Sequence, residues 1–171
     1  MISDGLKILK VKDFNPRWDT LIELIKENNF TKIAEIGVET GITARHILDA
    51  CNVEAYFAID PAVNKDFFHS CLEDKISFFK MTSEQAAKFF SDGCLDLVFI
   101  DASHLYPNVK QDIQLWSPKI RKGGIISGHD YNDFMHVGVK QAVDEIFASQ
   151  EIFITPDEMP NGRRCVWWVQ L

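Results

Sequence analysis

Positive charge is scarce in this chain. Its 171 residues include 18 Lys and Arg against 25 Asp and Glu, a formal net charge of −7. That balance argues against general attraction to nucleic acid or to an anionic membrane. Cys51, Cys71, Cys94 and Cys165 form no Cys-x-x-Cys pair. A zinc cluster or redox dithiol is therefore disfavoured, and free thiols in a reducing cytosol are expected. No apolar run approaches the roughly 18 residues of a membrane span, and the opening MISDGLKILK has no signal-peptide core. Repeats, low-complexity tracts and Pro/Gly/Ser linkers are missing too, so one cytoplasmic domain over residues 1–171 is expected.

What is present is an alternation of short apolar runs with helical periodicity. Trp18, Leu21, Ile22 and Ile25 mark an opening helix, and residues 32–36 read as a buried strand broken by GVETG. A helix over 43–50, a strand AYFAI, a helix over 64–72 and a strand over 76–79 follow. Thr82 and Gln85 have capping-box spacing. Residues 95–100 form a fourth strand, and Pro107 opens a helix carrying Val109, Ile113 and Trp116 on one face. KGGIISG is a turn and fifth strand, Val139, Val143 and Ile146 mark another helix, and EIFIT and CVWWVQL suggest a closing antiparallel hairpin. This pattern predicts an α/β fold, a mostly parallel sheet with helices on both faces.

In such sheets ligands bind beyond the carboxyl ends of the strands. The polar residues fall there: Gly37, Glu39 and Gly41 after the first strand, Asp60 after the second, and Ser83 past the third. Asp101 and His104 follow the fourth, and His129 and Asp130 the fifth. In EIGVETG, Glu39 and Ile42 stand where a dinucleotide fingerprint has its second and third glycines. A further carboxylate there would repel a pyrophosphate, so an NAD enzyme is disfavoured, whereas a cationic ligand tolerates Glu35 and Glu39. Asp60 suits a ribose diol, or equally a turn before Pro61.

The segments AEIGVETGITARHIL, FAIDPA, DLVFIDASHLYPNVKQDIQLWSPKIRKGGIISGHDY and GVKQAVDEIF together resemble a class I S-adenosylmethionine-dependent methyltransferase. Within that class the chain resembles small-molecule O-methyltransferases related to the metal-dependent antibiotic-sugar enzymes, from about residue 32 onward. The resemblance implies a Rossmann-like seven-stranded sheet with an antiparallel C-terminal strand. It implies that Glu35, Gly37 and Gly41 line the methionine half of S-adenosylmethionine, with Thr43 near its carboxylate. Asp60 would hold the ribose and Ser83 would lie beside the adenine. Asp101 and Asp130 would bind magnesium or another divalent cation, and Asp101 would sit where cofactor, metal and acceptor meet.

Three departures stand out. Ser103 replaces the aspartate that serves those relatives as general base, so His104 becomes the candidate base, with a structural role as the alternative. His129 precedes Asp130 where the relatives carry adjacent acids; it would tune the metal, pair with an acid or do neither. Only about 30 residues precede the first strand, so the opening helix, the 131–136 loop or a second subunit would have to cover the acceptor. Phe134 and His136 are candidate acceptor contacts. Arg163 and Arg164 suit an anionic acceptor or a solvated hairpin tip. The expected function is O-methylation of a small hydroxylated molecule. The rivals are a cofactor-binding protein without turnover and a metal-dependent hydrolase using Asp101, His104, His129 and Asp130.

Overall fold

The computed structural model describes residues 6–8, 17–62, 75–132, 135–155 and 165–171. Its strands are β1 (Leu6–Ile8), β2 (Lys32–Ile36), β3 (Ala55–Ile59), β4 (Ile76–Phe79), β5 (Leu95–Ile100), β6 (Ile120–His129), β7 (Ile152–Ile154) and β8 (Val166–Gln170). Its helices are α1 (Arg17–Asn28), α2 (Ile42–Ala50), α3 (Ser83–Ala87), α4 (Tyr106–Trp116) and α5 (Val137–Ile146). The strands form one sheet in the order β1-β7-β8-β6-β5-β2-β3-β4. Only β8 runs antiparallel to its neighbours. Among the described residues the sheet contains the seven expected strands and one more, β1, which extends the edge by pairing in parallel with β7. Three residues carry too little periodicity to announce a strand. The helix expected over 64–72, Cys71, Phe134 and the arginines at 163–164 lie outside the described residues.

The helices divide between the two faces of the sheet. Leu21, Leu24 and Ile25 of α1 and Ala44 and Ile47 of α2 pack with Ile33, Tyr56, Leu97, Phe99 and Trp168. Ala86 of α3, Val109, Ile113 and Trp116 of α4 and Val139 and Val143 of α5 pack with Ile36, Val98, Ile100 and Trp167 on the other face. Consecutive strand residues point to opposite faces, so Trp167 and Trp168, 1% and 5% exposed, anchor one core each. The expected capping box is present: Thr82 and Gln85 satisfy each other's backbone N–H groups at the start of α3. β6 begins at Ile120, earlier than KGGIISG suggests, because an irregularity in its pairing with β5 takes up the KGG segment.

The chain runs outward through β2, β3 and β4 and returns to place β5 beside β2. At this reversal the two strand ends nearly touch. Asp101 N–H donates to the Ile36 carbonyl at 2.8 Å, and Gly37 turns at φ 89°. A Cβ at Gly37 would lie 2.4 Å from the Asp101 carbonyl oxygen and 2.7 Å from Ala102 Cα. Both obstacles are backbone and cannot rotate away. Gly37→Ala is expected to destabilise the protein by about 2–4 kcal/mol, read as a lowered urea midpoint. A midpoint within error of wild type would show that this contact is not tight.

Candidate active site

An open cleft of about 840 Å³ lies over the carboxyl ends of β2, β3 and β5, at the reversal of strand order where α/β sheets bind ligands. Gly37, Glu39, Asp60, Ser83, Asp101, His104, His129 and Asp130 all line it. Five separate strand ends thus converge on one rim. Glu35 and Thr43 do not reach the cleft surface; they are buried beneath it, 2% and 1% exposed. Glu35, expected along the methionine half, points into the α1–α2 side of the sheet beside Tyr56. Gly41 is buried at the start of α2 in the left-handed conformation.

Asp60 holds the glycine loop in shape. Its Oδ2 accepts from Val38 N–H at 3.0 Å and Glu39 N–H at 2.9 Å, while Oδ1 accepts from Ala62 N–H at 2.7 Å. The turn role before Pro61 is therefore real. A carboxylate has about four acceptor sites, so room for a ribose hydroxyl is small but present. On the far side, Trp116 Nε1 donates to Ser83 Oγ at 2.8 Å. A hydrogen bond with Ser83 also ties down Asp112, a buried carboxyl of α4 on the cleft floor.

Asp101 is paired with a residue that sequence reasoning passed over. Arg17, the first residue of α1, places Nη1 on Asp101 Oδ2 and donates from Nε to Thr43 Oγ1 at 3.1 Å. Thr43 and Tyr56 both hydrogen-bond Glu35, with Tyr56 Oη donating at 2.7 Å. A continuous polar chain therefore runs from Asp101 through Arg17 and Thr43 to Glu35. Arg17 and Asp101 are 84 positions apart, and one arginine at a helix start carries no local signature. Burial pushes the Asp101 carboxyl up, an effect opposed by the charges of Arg17 and His129.

Asp130 is the centre of a second cluster. His129 Nδ1 lies 3.0 Å from its Oδ1 and His104 Nε2 3.0 Å from its Oδ2. His136 Nδ1 stands 3.8 Å from the same Oδ2. Burial alone would raise the Asp130 carboxyl, but the hydrogen bonds from His104 and His129 and their charge hold it well below its ordinary range. The His104 and His136 rings stack with centroids 3.9 Å apart. That stacking needs α5 to start close to the 104–106 backbone, and Gly138 allows it: a Cβ there would sit 2.5 Å from Tyr106 N. Ser103 has a local task instead of a catalytic one, because its Oγ accepts from Leu105 N–H at 3.3 Å and Asn108 Nδ2 at 2.9 Å. This is a Ser-turn leading into α4.

Two groups of donor atoms lie within 4.8 Å of one another: Asp101, His129 and Asp130, and His104, Asp130 and His136. Each mixes imidazole nitrogen with carboxylate oxygen. Magnesium prefers all-oxygen shells with several waters, whereas Mn, Fe, Co and Zn accept imidazole readily. The residues fit a divalent ion, and by donor chemistry they fit a transition metal better than magnesium.

This architecture has known counterparts. The chain belongs to the methyltransferase-domain family, which it matches over residues 34–131. It is a class I S-adenosylmethionine-dependent methyltransferase by family and fold. A protein described as a caffeoyl-CoA O-methyltransferase of Staphylococcus aureus superposes with a TM-score of 0.72 at 14% identity, covering 94% of this chain and 85% of its own. An O-methyltransferase of Bacillus cereus, solved with S-adenosylhomocysteine, gives 0.71 at 16% identity, covering 93% and 83%. The N-methyltransferase NodS of Bradyrhizobium japonicum gives 0.68 at 14% identity, covering 90% and 93%. No curated protein matches the chain by sequence. Among the described residues no helix is long and apolar enough to cross a membrane.

The polar chain beneath the cleft can be tested through pH. Burial lifts the Glu35 carboxyl from 4.5 to about 8, against the hydrogen bond from Tyr56. The folded protein then keeps a proton that the unfolded chain releases above pH 4.5. The Glu35 contribution to stability is whole below that pH and falls as pH rises toward 8, by on the order of 1 kcal/mol per pH unit. Urea denaturation of wild type and Glu35→Gln across this window is expected to show the difference moving in favour of the variant as pH rises. A difference independent of pH would mean that Glu35 is charged in the fold.

Proposed function

We propose that the protein transfers a methyl group from S-adenosylmethionine to a hydroxyl of a small molecule, with help from a divalent metal ion. One observation carries this reading. A single cleft holds the Asp60-braced glycine loop at one end and an imidazole paired with a carboxylate, His104 with Asp130, at the other. S-adenosylmethionine supplies the methyl group on a sulfonium sulfur, an electrophile that needs alignment and a nucleophile more than covalent assistance. Glu39, Asp60, Asp101 and Asp130 give the cleft the negative potential that suits a sulfonium.

His104 takes the proton from the acceptor hydroxyl. Asp130 remains ionised, orients the ring and stabilises the imidazolium that forms. An oxygen acceptor fits this pair, because a hydroxyl must lose its proton as it attacks. Asp101, His129 and Asp130 would hold the metal ion, which would supply Lewis-acid activation of that hydroxyl. Arg17 occupies one oxygen of Asp101, while Oδ1, 3.8 Å from His129 Nδ1, faces the metal-ligating group.

His104→Ala is expected to lower kcat by about 100-fold or more while leaving S-adenosylhomocysteine affinity within about threefold of wild type. Transfer to a panel of phenols, sugars and catechols, followed by mass spectrometry, reads the first value, and calorimetry the second. Tight S-adenosylhomocysteine binding without transfer to any hydroxyl would favour a binding protein without turnover. For the metal, calorimetric titration of chelator-treated protein is expected to show Mn2+ binding at least about tenfold tighter than Mg2+. Asp130→Asn is expected to abolish Mn2+ binding. If neither ion binds, the metal leaves the mechanism and methyl transfer with His104 as base stands.

A further inference from the structure

The cleft is lined by acids. Glu39, Asp60, Glu84, Asp101, Asp112 and Asp130 all face it, and among the described residues on its wall Arg17 is the only Lys or Arg. The cofactor carries two cations, its sulfonium and its ammonium, and one anion, the carboxylate of its amino-acid end. An acidic cleft welcomes the first two and repels the third everywhere except near Arg17.

The guanidinium of Arg17 is held from two sides. Nε donates to Thr43 Oγ1 at 3.1 Å, and Nη1 is bound to Asp101 Oδ2. These contacts use only part of an arginine's five N–H donors, and a fork fixed in this way loses little freedom when a carboxylate arrives. Thr43 lies in the first turn of α2, whose N-terminus, at Gly41, has no side-chain cap. The partial positive charge of a helix start therefore adds to that of Arg17 at the same place. Arg17 is 25% exposed at its side chain, within reach of a ligand yet partly shielded from water.

We infer that Arg17 is the anchor for the cofactor carboxylate, fixing the amino-acid end of S-adenosylmethionine against the start of α2, with Thr43 and Asp101 holding its guanidinium in place. This rests on the cofactor reading given above. In the anchored arrangement Asp101 gains the ammonium or sulfonium as a neighbour while it keeps Arg17 in position. Arg17 is thus a binding residue that tells the complete cofactor from a shortened nucleoside.

The test compares two ligands by isothermal titration of the full chain. S-adenosylhomocysteine has the amino-acid end; 5′-methylthioadenosine keeps the adenosine and the thioether sulfur and lacks that end. Arg17→Gln is expected to weaken S-adenosylhomocysteine about 10- to 100-fold and to change 5′-methylthioadenosine by less than about threefold. Arg17→Lys, which keeps the charge and loses the fork, is expected to fall between. Thr43→Val, which removes the support at Nε, is expected to weaken S-adenosylhomocysteine alone, by less. If Arg17→Gln does not fold, judged by its melting curve, the other two variants carry the comparison. Equal losses for both ligands, or unchanged S-adenosylhomocysteine affinity, overturn the inference and leave the cofactor reading intact. Wild-type protein that binds neither ligand overturns the cofactor reading, and the inference with it.

Discussion

The architecture of the cleft depends on one close approach of backbone to backbone, between Gly37 at the end of β2 and Asp101–Ala102 at the end of β5. A parallel pair of strands must splay where its loops part, and the cleft opens in that gap. Because nothing larger than hydrogen fits at position 37, the Asp101 side chain emerges directly beside the glycine loop. Asp60, from the neighbouring strand β3, then fastens that loop by accepting its N–H groups. The loop, the brace and the Asp101 carboxylate are products of a single register.

Around this frame the protein keeps several acids partly or wholly out of water, and treats each differently. Glu35 is buried beside hydroxyl partners, and burial outweighs the charge of Arg17, so its carboxyl is pushed up to about 8. Asp101 is given a guanidinium, and Asp130 is given imidazoles. Burial raises all three and prevails at Glu35 and Asp101, while at Asp130 the histidines outweigh it. The result is a graded set across a short distance: an acid raised by burial below, an ion pair at the centre and a carboxylate held well below its ordinary range beside His104.

The solved structures of similar fold act on different atoms, an oxygen in some and a nitrogen in NodS. One sheet architecture is therefore compatible with several acceptors. In this chain three histidines, His104, His129 and His136, surround Asp130 at the cleft. The stack of His104 on His136, made feasible by Gly138, puts imidazole beside the position where the resembling enzymes carry an aspartate. Ser103, at that aspartate's position, has become part of a turn.

Much of the fold was legible in the order of residues. The limits of β4 and β5, the capping box of α3, the antiparallel last strand and the placing of polar residues after strands all follow from periodicity and turn chemistry, which act over a few neighbouring positions. So does the choice of Asp101, His104, His129 and Asp130 as the residues to watch. What only the tertiary structure decided is who their partners are. Arg17 reaches Asp101 across 84 positions of the chain, His136 meets His104 because two helices pack closely, and Glu35 turned out to lie under the cleft instead of on its wall. The short β1, with no periodicity of its own, exists by virtue of the edge that β7 offers it. Local patterns record what each segment prefers, while charge pairing and burial depend on distances that are set only when segments far apart in the chain are brought together.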